Sequence, residues 1–132
     1  MRLPMLVEWS LGSLERYRWD GLRLMPDARP PRASPVNYGL VPHYFNPADQ
    51  DYLDAIWASR QAVAAGSWLE GEVLGLLYLA DGDHKVILGE GRLELDWEGI
   101  WAWFAGREVQ LLEASEAAAL VRSLPSPPGP KR

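Results

Sequence analysis

The stretch "NPADQDYLDAIW", residues 46–57, carries Asp49, Asp51 and Asp54 with nothing basic between them. Like charges this close repel unless something separates or neutralises them. Crowded carboxylates suit hard divalent cations, which take oxygen ligands. An EF-hand is excluded, because it needs Gly at its sixth loop position and Glu at its twelfth. Counted from Asp49, those places hold Asp54 and Arg60. Taken alone, the stretch reads most simply as a solvated acidic turn. A second pair shifts that reading: Asp81 and Asp83 in "LADGDHKV", with Lys85 two residues on. Extended backbone puts Asp81, Asp83 and Lys85 on one side, although Asp-Gly is also ordinary turn chemistry. Together, five carboxylates and a lysine suit a site for a divalent metal and a phosphate. One cation between the clusters requires the Asp49 and Asp83 carboxylates to lie within ~10 Å, given ligand distances of ~2.0–2.6 Å. His43 and His84 read as turn or rim residues rather than metal ligands.

The chain that must position these groups is short. Its 132 residues imply one domain, taken as residues 1–124. The Pro-rich end "PSPPGPKR", 125–132, reads as a disordered tail. A content of 48% hydrophobic and 23% charged residues is that of a globular protein with a modest core. A net charge of −5 argues against a nucleic-acid partner. Absence of Cys removes disulfides, thiolate metal sites and thiol catalysis. No apolar run approaches the ~20 residues of a membrane span. The N-terminus "MRLPMLVEWS" lacks the features of a signal peptide. These observations lead to the expectation of a cytoplasmic protein without a membrane partner. The seven Trp residues read as large core or interface side chains.

Short strands dominate the pattern. "MLVEW" is one. "LERYRWDGLRLM" reads as a hairpin turning tightly at Asp20-Gly21, with Arg16 and Arg18 on one face and Tyr17 and Trp19 on the other. "PDARPPRASP" has four prolines in ten residues and reads as an irregular surface loop. "VNYGLVPHYF" follows, with a local break at Gly39 and an edge or turn at Pro42. "YLDAIW" is a short strand, and Gly66 in "QAVAAGSW" marks a turn. "EGEVLGLLYLA" and "KVILGE" are strands joined by the "DGDH" loop. "LDWEGIWAWFAG" is ambiguous. "SEAAALVRSL" is a helix, with Ser115 as N-cap and Glu116 in its first turn. The resulting fold class is mainly β (α+β), a five- to six-stranded barrel or curled sheet with a C-terminal helix.

The order of these motifs resembles the soluble Mg²⁺-dependent inorganic pyrophosphatases, in a short and divergent form. "VEWSLGSLERYRWDG" resembles that family's opening Glu-Ile-Pro…Lys-Tyr-Glu segment. "SPVNYGLVP" resembles its Tyr-Pro-x-Asn/Asp-Tyr-Gly motif, and "DQDYLDAIW" its Asp-Gly-Asp-Pro-hydrophobic-Asp motif. "AAGSWLEGEVLGLLYLADGDHKVIL" resembles the later segment that ends in Asp-x-Lys. "REVQLLEASEAAALVRS" is a fainter likeness to the closing strand and helix. The resemblance covers about residues 5–91 and implies an OB-like β-barrel that hydrolyses diphosphate.

Residue by residue, the resemblance implies that Asp49, Asp54 and Asp83 bind a first Mg²⁺, with Asp54 touching a second. It implies Asp81 and Asp83 for the metal that arrives with substrate, and Glu8 as a distal acidic group near the metals. Asp51 would orient and deprotonate the attacking water. Tyr38, Lys85 and Arg16 would hold phosphate oxygens, with Arg16 replacing a family lysine. Two or more Mg²⁺ are implied, with Mn²⁺ or Zn²⁺ as substitutes, and a homo-oligomer for which the Trp-rich segment 97–103 supplies either an interface or core packing.

This sequence also departs from the pattern. Arg18 stands where the family has Glu, placing a positive charge in an acidic wall. Ser34 replaces Tyr, Gln50 replaces Gly and Tyr52 replaces Pro. Arg29 or Arg32 stands in loosely for a phosphate-binding Arg. A late Tyr-Lys pair has no counterpart near "WEGIWAWFAG". The alternative to an active diphosphatase is therefore a catalytically impaired relative that binds metal and phosphate or a protein partner. Strand alternation puts Asp49 and Asp51 on one face and Asp54 out of phase, so a bend must fall between them.

Overall fold

The computed structural model describes residues 1–128. Eight strands and two helices follow in the order β1 (Arg2–Trp9), β2 (Tyr17–Trp19), β3 (Leu24–Pro26), β4 (Asn37–Asn46), β5 (Asp51–Trp57), β6 (Trp68–Leu79), β7 (Lys85–Gly89), α1 (Trp97–Trp103), β8 (Val109–Glu113) and α2 (Ala114–Ser123). The main sheet runs β1-β4-β5-β7-β6-β8, and β1 also pairs with β6. That extra pairing, Arg2↔Glu72 to Leu6↔Trp68, closes five strands into a barrel. β8 is added outside the closure, along the second half of β6. Strands β2 and β3 form a separate hairpin. No helix among the described residues is long and apolar enough to cross a membrane.

Period-2 alternation distributes the strand side chains between two apolar clusters. Leu53, Ala55, Trp57, Val86 and Leu88 join Met5, Val7, Val41 and Leu76, under α2 residues Ala117 and Val121. Ile56, Ile87, Leu77 and Tyr38 join Trp9, with Ile100 and Phe104 from the α1 region. Asp54 and Lys85 alternate with the first set and so share the side of Ile56 and Ile87. β5 and β7 are parallel neighbours, with Asp54 registered against Lys85. A carboxylate and an ammonium are thereby set side by side at the rim of the second cluster.

Several local expectations are corrected. Gly39 does not break β4; it lets β1 cross closely, since a Cβ there would overlap the Leu6 carbonyl oxygen. The β2–β3 connection spans Asp20–Arg23 rather than a two-residue turn, because the Asp20 carboxylate accepts the backbone N–H groups of Leu22 and Arg23 at 2.8 and 2.9 Å. The ambiguous Trp-rich segment is helix α1, started by Asp96, whose carboxylate accepts the Gly99 N–H at 3.1 Å. Helix α2 starts one residue before Ser115, with extended Glu113 as its N-cap, because β8 runs into it without a linker. Ser115 instead donates its hydroxyl to Glu113. At the C-terminus the Pro125 carbonyl accepts the Phe45 N–H at 2.9 Å, so the chain is docked as far as Pro125. The expectation of a disordered tail otherwise falls partly on residues 129–132, which lie outside the described residues.

Candidate functional site

Asp49, Asp54 and Asp83 each offer a carboxylate oxygen within 4.8 Å of the others. Two loops meet to achieve this. The first turns back at Gln50, whose φ of 58° is left-handed. This is the bend that alternation required, made at the position where the resembled motif has Gly. It leaves Asp49 in the turn and starts β5 at Asp51. The second loop turns at Gly82, with a φ of 88°, where a Cβ would lie 2.7 Å from the Ala48 Cβ. Buried Asn46 joins the loops by donating its side-chain amide to the Gly82 carbonyl at 2.9 Å.

Lys85 is almost fully buried and donates its ammonium to Asp54 Oδ2 at 2.9 Å. It also pairs with Asp83 Oδ1 at 3.0 Å. On the far side of Asp83, Arg107 pairs with Asp83 Oδ2 at 3.2 Å and with Asp81 Oδ2 at 2.9 Å. The β6–β8 ladder explains this reach. Its last pair is Leu79↔Val109, and two positions further on Asp81 faces Arg107. Turn geometry rather than extension orients the second acidic pair, since Asp81 Oδ1 accepts the Asp83 N–H at 3.1 Å.

The electrostatics of the loops differ. Asp49 is exposed at its turn, yet partial desolvation beside the other carboxylates, with the charges of Asp54 and Asp83, pushes its carboxyl up to about 7. Burial likewise lifts Asp54 to about 6, with Lys85 acting in the opposite sense. Glu8 is pushed up to about 7 by burial, against the N–H of Trp19 that it accepts at 2.7 Å. Asp81 is held below the usual carboxylate range by the Asp83 N–H and Arg107. Burial would raise Asp83, but the Lys85 ammonium and Arg107 outweigh it and hold it low. Tyr38 is raised by burial and the nearby Asp54 carboxylate, which keeps its hydroxyl protonated.

Beside the carboxylates opens a cavity of ≈ 480 Å³. Cationic groups dominate its polar wall: Arg16, Arg29, Arg32, Lys85 and Arg107, with Tyr38, Asp27 and Asp83. Asp27 organises two of them. Its carboxylate accepts the Arg29 N–H at 2.9 Å and lies 3.6 Å from Arg16 Nε. The Arg16 guanidinium lies over the Trp9 ring at 4.5 Å and the Tyr38 ring at 5.5 Å, an arrangement favoured by the ring quadrupole. Trp103 of α1 completes this aromatic wall, packed edge-on against Trp9 and Tyr38.

The structure thus brings together Asp49, Asp54, Asp83 and Lys85, and adds Tyr38 and Arg16 at the cavity. Asp51 is exposed at the start of β5, with Oδ1 accepting the Tyr52 N–H at 2.8 Å. Glu8 and Asp81 lie outside the trio. Arg18 is exposed on the hairpin and does not line the cavity. Both Arg29 and Arg32 line it. His84 caps its turn, with Nδ1 accepting the Leu79 N–H at 3.1 Å. Sequence reading missed Asp27 and Arg107. The signal for Arg107 was its distance from the "VQLLE" strand, readable only once that strand was registered against "LLYL".

The trio fits a divalent cation by its chemistry. Its donors are hard oxygens, and their spacing lets one ion of ~2.0–2.6 Å ligand distance reach all three. Fold and site define a class: a small closed barrel that gathers hard oxygen ligands beside a cationic cavity. Comparison with known proteins places the chain within that class. A family model described as inorganic pyrophosphatase matches residues 7–90. A curated relative, the inorganic pyrophosphatase of Haemophilus influenzae, is 38% identical over 58 residues, a match spanning 42% of this chain and 32% of that protein. The solved inorganic pyrophosphatase of Helicobacter pylori superposes with a TM-score of 0.76 at 22% identity, over 93% of this chain and 91% of that one. That of Ehrlichia chaffeensis gives 0.74 at 20% identity, over 94% and 93%. The chain belongs to the inorganic pyrophosphatase family.

Proposed function

We propose that the protein hydrolyses inorganic diphosphate to two phosphates with Mg²⁺. The observation that carries this reading is the sharing of Asp83 and Lys85 between the carboxylate trio and the cationic cavity. A cation and a polyanion bound there would be in contact. Asp49, Asp54 and Asp83 hold the metal, and Asp81 extends the set beside Asp83 through the shared Arg107. Bound Mg²⁺ would supply charge neutralisation and lower the pKa of a bound water well below that of bulk water.

The protein's own groups do the rest. Asp51 orients the attacking water and takes its proton. Its exposure, with one oxygen held by the Tyr52 N–H, leaves the other oxygen for that task. Lys85, held at the cavity wall by Asp54 and Asp83, presents fixed positive charge to the phosphoryl group. The Tyr38 hydroxyl stays a neutral donor. Arg16 and Arg29, braced by Asp27, offer planar guanidinium forks that match phosphate oxygens. With Arg32 and Arg107 they supply the positive charge that the absent Tyr-Lys pair would have given. This supports an active enzyme over an impaired binder. The reading also carries a cytoplasmic setting, Mn²⁺ or Zn²⁺ as substitute metals, a homo-oligomeric state, and no nucleic-acid or membrane partner.

The test is phosphate release from diphosphate with Mg²⁺, beside Asp51→Asn. Release that falls by roughly 10²–10⁴-fold in the variant is expected for loss of a general base. No release above the variant with Mg²⁺, Mn²⁺ or Zn²⁺ would sink the reading.

A further inference from the structure

Arg107 occupies an unusual place. Its guanidinium bridges Asp81 and Asp83 at 2.9 and 3.2 Å while also lining the cavity. Its guanidinium lies over the Phe104 ring, 5.5 Å from the centroid. Its backbone is fixed by the N–H bond to the Phe104 carbonyl, at 2.9 Å, in the turn that leads into β8. Two carboxylates suited to a divalent cation therefore already hold a monovalent one. Lys85 also pairs with Asp83 and lines the cavity, but it is buried and bound to Asp54 as well, which fixes it in place. The Arg107 side chain is 39% exposed and has no buried partner to hold it.

We propose that Arg107 is an exchangeable counter-ion: it competes with a divalent cation for Asp81 and Asp83, and transfers to an anionic phosphate when that cation binds. The inference rests on the hydrolytic reading above and deepens it. A guanidinium fork suits either partner, because carboxylate and phosphate present similar paired oxygens. Exchange keeps the charge of the wall balanced. When the cation takes the carboxylates, the released guanidinium faces a cavity in which the incoming anion is its natural partner. Phosphate then stabilises the cation-loaded state by removing its competitor. Linkage makes this reciprocal, so the cation tightens phosphate binding by the same factor. Arg107 thereby discriminates in favour of a metal–phosphate complex over either component alone.

The probes are Mn²⁺ and inorganic phosphate, followed by calorimetry and by the Mn²⁺ paramagnetic signal. In Arg107→Gln, Mn²⁺ binding without phosphate is expected to tighten by roughly tenfold, or to gain a further equivalent. The partial exposure of Arg107 and Asp81 screens the effect to that order. Phosphate should tighten Mn²⁺ binding in the wild type and do so much less in the variant. Arg107→Lys should fall between, and Asp81→Asn in the Arg107→Gln background should cancel the gain. Unchanged melting temperature in Arg107→Gln confirms that the fold is intact. Equal Mn²⁺ affinity and equal phosphate coupling in wild type and Arg107→Gln overturn the inference. If the wild type still hydrolyses diphosphate, the hydrolytic reading survives that result. Absence of both Mn²⁺ binding and hydrolysis in the wild type overturns the two together.

Discussion

The two acidic loops of the site carry the same chemistry in opposite electrostatic states. In the first, around Gln50, Asp49 has no cationic partner among the described residues and is lifted to about 7. Asp54 is lifted to about 6 even with Lys85 beside it. In the second, around Gly82, Asp81 and Asp83 are both held low by Arg107 and backbone or lysine donors. Carboxylates alone therefore do not define a metal site. The first loop is short of positive charge and needs a cation from outside. The second supplies its own, so a cation must displace a resident group. The loops are joined at Lys85, which belongs to both.

Removing that joint should have the largest effect. Lys85→Met leaves Asp54 and Asp83 without their buried partner, and breaking such a pair costs about 3–5 kcal/mol. Urea denaturation without metal should show this loss, and Mg²⁺ should recover part of it. An unchanged midpoint would dissolve the distinction between the loops. Next, Gly82→Ala places a Cβ 2.7 Å from Ala48 at a left-handed φ. It should destabilise by about 1–3 kcal/mol and weaken Mn²⁺ binding, because it separates the loops that hold Asp49 and Asp83.

The pH dependence reads the first loop directly. Asp54 and Glu8, with a smaller part from exposed Asp49, bind protons more tightly folded than at the unfolded value of about 4. Their contribution to stability is complete below that value and is lost as pH rises through about 6–7. Asp81 and Asp83 have the opposite sign and lose their contribution only as pH falls below about 4. The metal-free protein should therefore melt roughly 5–10 °C lower at pH 8 than at pH 5. Saturating Mg²⁺ should flatten the profile, and a melting temperature that rises over this window would reverse the assignment. The smallest effect is expected at Gln50→Gly. Releasing a left-handed non-glycine residue gains about 1–2 kcal/mol, less the 0.5–1 kcal/mol of glycine's added unfolded-state freedom. A net gain of about 0.5–1 kcal/mol in urea is the measurement to make.

Much of this contrast was legible before any coordinates. Short apolar runs in "YLDAIW", "EGEVLGLLYLA" and "KVILGE" located the strands by their length, and β7 proves buried on both faces. The alternation of strand side chains showed that a bend must lie between Asp49 and Asp54. It did not show the state of each carboxylate, which depends on partners distant in sequence. Arg107 meets Asp81 only through the β6–β8 register. Asp27 sits in a Pro-rich loop with no period to read, although its buried carboxylate braces two arginines. Ser115 failed as an N-cap because cap preference is local, whereas here the preceding strand dictated where the helix began.

The parallel pairing of β5 with β7 has a kinetic consequence. Asp54 and Lys85 are 31 residues apart and joined by no hairpin. Barrel closure, Leu6↔Trp68, spans a still longer separation. Chains dominated by such non-local pairings are slow folders, because loop entropy must be overcome before contacts form. Asp49 and Asp54 meet Asp83 only when β5 docks on β7, the same pairing that brings Leu53, Ala55 and Ile56 against Val86, Ile87 and Leu88. Their mutual repulsion therefore opposes a step that apolar burial favours.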